Sequence, residues 1–218
     1  MGRERGRRGV AMPKGRKEAF SDGVIAIIIT IMVLGISAPE GSGMADLLSL
    51  GPAVVSYAVS FVAVGTYWNN HHHLLNLVRR TTGRMLWSNL LFLFVLSFFP
   101  LATDWIQKTN FAALPTTCYI VLNMLVSLSY MNLERVIRHA VSCQRSTSGM
   151  RELQHRSLAK ERWTLGLEVV ALVLAIALPT TRLAFVAMVL AFSLWVIPDL
   201  RIARLFDALA TYEDGEDE

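Results

Sequence analysis

The sequence predicts an all-α, polytopic membrane protein with six transmembrane helices and both termini in the cytoplasm. Three observations carry that expectation. Of 218 residues, 53% are hydrophobic and 17% charged, against about 25% charged in an ordinary soluble domain; the mean hydropathy is +0.43. The apolar residues gather in six runs, several near the ~20 residues that cross ~30 Å of hydrocarbon as a helix. Finally, the basic residues are divided between alternate loops, as membrane topology requires.

The first helix is expected over residues 20–37, stopped by Ala38-Pro39-Glu40-Gly41. The second is expected over 47–77. Its start is indistinct because Gly51-Pro52 lies inside it, and proline is tolerated in a first helical turn. The third is expected over 85–105, and the fourth over 112–135 with room to extend toward His139. The fifth (163–178) is the shortest, and the sixth runs over 182–206. An Arg-rich start, an apolar run over 24–36 and the small residues Ile36-Ser37-Ala38 could also be read as a cleaved signal segment. Five further apolar runs make a retained span the more economical reading.

Orientation follows from Lys and Arg. Arg3, Arg5, Arg7, Arg8, Lys14, Arg16 and Lys17 precede the first helix. Arg79, Arg80 and Arg84 lie between the second and third. Arg135, Arg138, Arg145, Arg151, Arg156, Lys160 and Arg162 lie between the fourth and fifth, and Arg201 and Arg204 follow the sixth. Of the 21 basic residues only Lys108 and Arg182 fall on the other side. This split accounts for the net charge of +4 without a nucleic-acid partner. Residues 1–15 then form a basic cytoplasmic tail, 16–208 one membrane domain, and 209–218 an acidic, solvated tail. The chain is expected in the cell inner (plasma) membrane, with the lipid bilayer as a partner. Cys118 and Cys143 imply no disulfide framework.

The densest chemistry opens the first helix, where Arg16, Phe20, Ser21 and Asp22 run straight into an apolar stretch. An ionisable group at a membrane helix end needs a partner or water. The second helix carries Trp68-Asn69-Asn70-His71-His72-His73 and the third opens on Trp87-Ser88-Asn89. Topology brings these segments to one membrane face. Arg16, Ser21, Asp22, Trp68, Asn69, His72, Trp87 and Asn89 are therefore expected to form one interhelical polar network. Three consecutive histidines diverge by about 100° each on a helix, so they do not share one metal ion. No metal or other cofactor is expected.

At about 100° per residue, Ile27, Thr30, Ile31 and Leu34 make one stripe on the first helix, away from Ser21 and Asp22. Spacing alone favours packing or lipid contact for such a stripe. An apolar pore lining is the sharper alternative. Glu168, one and a half turns into the fifth helix, reads as snorkelling to the interface or pairing with Lys160 or Arg162. Asp104 reads as a vestibule carboxylate. No phosphate loop, nucleophile elbow, zincin motif or paired catalytic carboxylates occur, so no enzyme is expected.

Arg16-x-x-x-Phe20-Ser21-Asp22, together with Trp68-Asn69-Asn70-His71-His72 and the stretch from Trp87-Ser88-Asn89-Leu90 to Phe99-Pro100, resembles the signature of the transmembrane-protein-175 family of potassium channels. The resemblance spans all six helices. It implies a prokaryotic member with one six-helix repeat per chain, assembled as a homotetramer with first helices around a central pore. It further implies apolar constrictions at Ile27, Ile31 and Leu34, a hydroxyl ring at Thr30, and an interhelical role for Phe20-Ser21-Asp22. Passive, potassium-selective flux is the implied activity. A proton- or cation-coupled secondary transporter is the alternative, and would want ionisable groups near the bilayer midplane.

Overall fold

The computed structural model describes residues 14–76, 78, 81–142, 165–177, 185–186 and 188–190, with the side chains of 14–17 and 141–142 excepted. The described residues are helical with short connections, and no strand occurs among them. α1 is Lys14–Leu34, α2 Met44–Ser49, α3 Gly51–Asn76, α4 Gly83–Leu96, α5 Phe99–Lys108 and α6 Ala113–Ser142. A further apolar helix, α7, is Leu165–Ala177. The tails, Cys143, most of the expected loop after α6 and most of the sixth run lie outside the described residues.

Two expected helices are divided. The run expected to start near residue 47 becomes the short α2, capped where Asp46 Oδ2 accepts from the Gly43 N–H at 2.9 Å, followed by α3 with Pro52 in its first turn. The third is two helices meeting at Ser97-Phe98. Pro100 sits in the first turn of α5, where its missing N–H and its restriction of Phe99 interrupt the regular ladder. Two apolar stretches, Gly83–Lys108 and Ala113–Ala140, are long and apolar enough to cross a membrane. α1 begins earlier than expected and α6 reaches past Arg135.

Each of the long helices buries one stripe. α3 buries Ser60, Val64, Tyr67, His71 and Leu74; α4 buries Met85, Asn89, Phe92 and Leu96. α1 packs on α3, α4 and α5, while α4 and α5 pack on α6. An aromatic layer sits at the centre. Tyr67, Phe92 and Tyr130 meet pairwise with ring centroids 5.5–5.9 Å apart, and the His71 ring stacks on Phe92. Past α5, Asn110 and Phe111 adopt left-handed backbone angles (φ 48° and 60°). The latter is costly for a bulky residue and turns its ring onto Phe185.

Candidate functional site

α1 has two distinct faces. Ser21, Ile25, Ile28 and Met32 are buried, at spacings of four, three and four that form one helical stripe. Ile27 (57% exposed), Ile31 (47%) and Leu34 (78%) leave the protomer, as does Thr30. At 100° per residue the two stripes are centred about 140° apart. The Thr30 hydroxyl donates back to the carbonyls of Ala26 and Ile27, at 3.0 Å each.

At the N-terminal end of α1, side chains from α3 and α4 hold the buried face. The Trp68 indole N–H donates to Asp22 Oδ1 at 2.9 Å. Asn89 Nδ2 donates to Ser21 Oγ at 2.9 Å, and Asn89 Oδ1 lies 2.6 Å from His71 Nε2. An amide oxygen only accepts, so that ring nitrogen carries the proton. Nδ1 of His71 is buried without a partner among the described residues.

The expected members of this network separate. Ser21 bonds Asn89 and Asp22 bonds Trp68, as two separate pairs on α1. His72 does not join them: it lies one helical step round from His71, bonds Asn76 at 3.2 Å and faces the Trp68 ring. His71 takes the inward position. Its spacing of four from Tyr67 and three from Leu74, both buried, is the signal that selects it. Phe20 is 54% and Trp87 75% exposed, so both point away from the bonded core. Asn69 is half-buried. The Arg16 side chain lies outside the described residues. No cluster of three potential metal-ligating His, Cys, Asp or Glu residues occurs among the described residues.

A second polar seam went unread in the sequence. Thr116, Asn123, Ser127, Tyr130, Glu134 and Arg138 fall within about 40° of one line along α6 at 100° per residue. That periodicity was the available signal. The Tyr67 hydroxyl and Ser127 Oγ are 2.8 Å apart, and Ser127 Oγ donates to Glu168 Oε1 at 2.8 Å. Glu168 is 1% exposed. It does not snorkel; it docks on Ser127, midway along α6. Its Oε2 has no partner among the described residues. Asp104, 29% exposed at its side chain, pairs with Lys108 at 2.7 Å and accepts from Gln107 at 3.0 Å.

Fold and site together define an all-helical membrane protein whose first helix is pinned along one face and bare along the other. A sequence model described as endosomal/lysosomal potassium channel TMEM175 matches residues 16–100. A potassium channel of Chryseobacterium sp. (strain P1-3) is 42% identical over 193 residues, covering 88% of this chain and 97% of that one. The human endosomal/lysosomal proton channel TMEM175 is 38% identical over 116 residues, 48% of this chain and 23% of that one. The crystal structure of a lysosomal potassium-selective channel TMEM175 homolog from Chamaesiphon minutus superposes with a TM-score of 0.70 at 28% identity, over 87% of this chain and 97% of that one. The chain belongs to the TMEM175 family, a family of channels and not of enzymes.

Proposed function

We propose that this chain is one subunit of a potassium-selective cation channel. Six spans with cytoplasmic termini make up residues 16–208, between a basic and an acidic tail, in the cell inner membrane. Four copies place their α1 helices around a central axis. Ile27, Ile31 and Leu34 narrow the pore, and Thr30 adds a ring of hydroxyls. The carrying observation is the division of α1: its opposite face is bonded to α3 and α4, while Ile27, Ile31 and Leu34 are 47–78% exposed. The named activities of the bacterial relative and of the Chamaesiphon structure support the choice of ion.

The selectivity argument is one of hydration. An apolar ring offers no ligands in exchange for lost water, so an ion crosses in proportion to how cheaply it sheds its shell. Potassium is the larger and more weakly hydrated ion, which favours it over sodium. Thr30 fits this role because its proton is committed to its own backbone, leaving the oxygen lone pairs available to a cation. Purified channels in planar bilayers test the assignment. Ile27→Asn should raise cation flux and lower the potassium-to-sodium permeability ratio; wild-type flux and ratio would refute it.

A second reading, proton- or cation-coupled transport, draws on one observation, the buried Glu168 carboxyl at the middle of α6. It predicts flux tied to a second gradient in proteoliposomes, where a channel gives passive flux.

A further inference from the structure

At the far end of α1 a different set of groups holds the helix. Gln107 on α5 is 9% exposed, and its Nε2 donates to the Gly35 carbonyl at 2.7 Å and to Asp104 Oδ1 at 3.0 Å. Asp104 is itself steadied by Lys108, one turn on. The last carbonyls of any helix lack internal donors; here α5 supplies one. A side chain at Gly35 would displace its neighbours. A Cβ there would lie 2.9 Å from Gln107 Nε2 and 3.0 Å from Asp104 Oδ1, the far ends of two side chains, so an added methyl would push on the very groups that make this bond. Three residues back, Met32 Sδ faces the Thr103 hydroxyl, and Thr103 is tied to Ser60, which in turn bonds Tyr119. α5 is thus anchored to α3 and α6 where it grips α1. Leu34, the most exposed of the α1 stripe, is the residue immediately before Gly35.

We propose that Gln107 is a positioning residue for the outer constriction, setting the rotation and height of Leu34 through its bond to the Gly35 carbonyl. This rests on the reading of α1 as the pore lining. Gln107 never meets the ion. It works because a free helix end frays and turns, whereas a carbonyl bonded to a braced neighbour fixes the side chain beside it.

The test uses the full-length channel in planar bilayers, with thermal unfolding and elution profile recorded for each variant. Gln107→Leu keeps the volume and removes the donor. Gly35→Ala attacks the same bond from the other helix. Both should elute as wild type, and both should shift the potassium-to-sodium permeability ratio or unitary conductance roughly two- to ten-fold, the size of one neutral hydrogen bond expressed as a rate ratio. Gly35→Ala combined with Gln107→Ser, which removes the closer of the two contacts, should keep the altered ratio while recovering part of the thermal stability lost by Gly35→Ala. Wild-type permeation in Gln107→Leu, with Leu34→Ser altering it, overturns the positioning role alone. A silent Leu34→Ser overturns the pore reading, and this inference with it. If Gln107→Leu fails to assemble, Gly35→Ala decides, and wild-type permeation there also overturns the proposal.

Discussion

Replacing Asn89 with leucine is the sharpest probe of the joint between α1 and the bundle. The side chain is 7% exposed and uses both ends of its amide, donating to Ser21 Oγ and accepting at 2.6 Å from His71. Leucine copies its branching in a bulkier side chain and removes both functions. Two buried groups are then stranded: the Ser21 hydroxyl and the His71 Nε2–H, on a ring whose other nitrogen already lacks a partner among the described residues. A stranded buried group costs about 1–3 kcal/mol, whereas interhelical hydrogen bonds measured in membranes average ~0.6 kcal/mol. The stranding term therefore dominates, and Asn89→Leu should destabilise by about 2–5 kcal/mol. Ser21→Ala leaves one unpaired donor and should cost about half as much. Thermal unfolding in detergent across the cycle Ser21→Ala, Asn89→Leu and the double variant measures the coupling. If Asn89→Leu unfolds within ~0.5 kcal/mol of wild type, a value typical of uninvolved surface sites, the joint does not hold α1 and the argument fails.

Trp68→Phe keeps an aromatic ring against His72 but removes the donor to Asp22; the bond is exposed, so stability should fall by about 0.5–1.5 kcal/mol. Asp22→Asn, which retains an acceptor, should be milder than Asp22→Leu in the same melts. Thr30→Val, isosteric but without lone pairs, should lower the potassium-to-sodium permeability ratio in bilayer recordings while a conducting pore remains; an unchanged ratio removes the hydroxyl ring from the mechanism. Glu168→Gln keeps an acceptor for Ser127 and deletes the ionisable group. Passive potassium flux in proteoliposomes should match wild type, and its disappearance would turn the assignment toward coupled transport.

Helix content was readable because hydropathy and basic-residue placement act over whole segments, so single positions matter little. Breaks were harder to read. Ser97-Phe98 sits in an uninterrupted apolar run, and only Pro100, three residues on, marks the division. The network at α1 was legible in part. Topology alone brings Ser21, Asp22, Trp68 and Asn89 to one membrane face, but choosing between His71 and His72 needs the phase of α3. That phase is written in Ser60, Val64, Tyr67 and Leu74, all buried. Phe20 and Trp87 were drawn in by their place in the motifs; motif membership does not specify which way a side chain turns. Glu168 was misjudged because its partner, Ser127, is 41 residues away in sequence, and only α6 periodicity points to it. Gly35 and Gln107 carry no local signature, since a side chain of α5 reaches a carbonyl 72 residues away in sequence.

A helix face of isoleucine and leucine carries little information about its own orientation. In a bilayer one apolar helix face packs nearly as well as another, because lipid tails are as apolar as side chains and supply no hydrophobic force to choose between them. A slip of one residue in α1 would turn the helix by about 100° and bring Ile28 where Ile27 had been, with almost no change in composition at either surface. Something directional must forbid that slip, and hydrogen bonds are directional. They stand at its two ends: Asp22 and Ser21 at one end of α1, the Gly35 carbonyl at the other. Between them the helix is left free to present only hydrocarbon and one hydroxyl, so the polar ends specify what the apolar middle cannot.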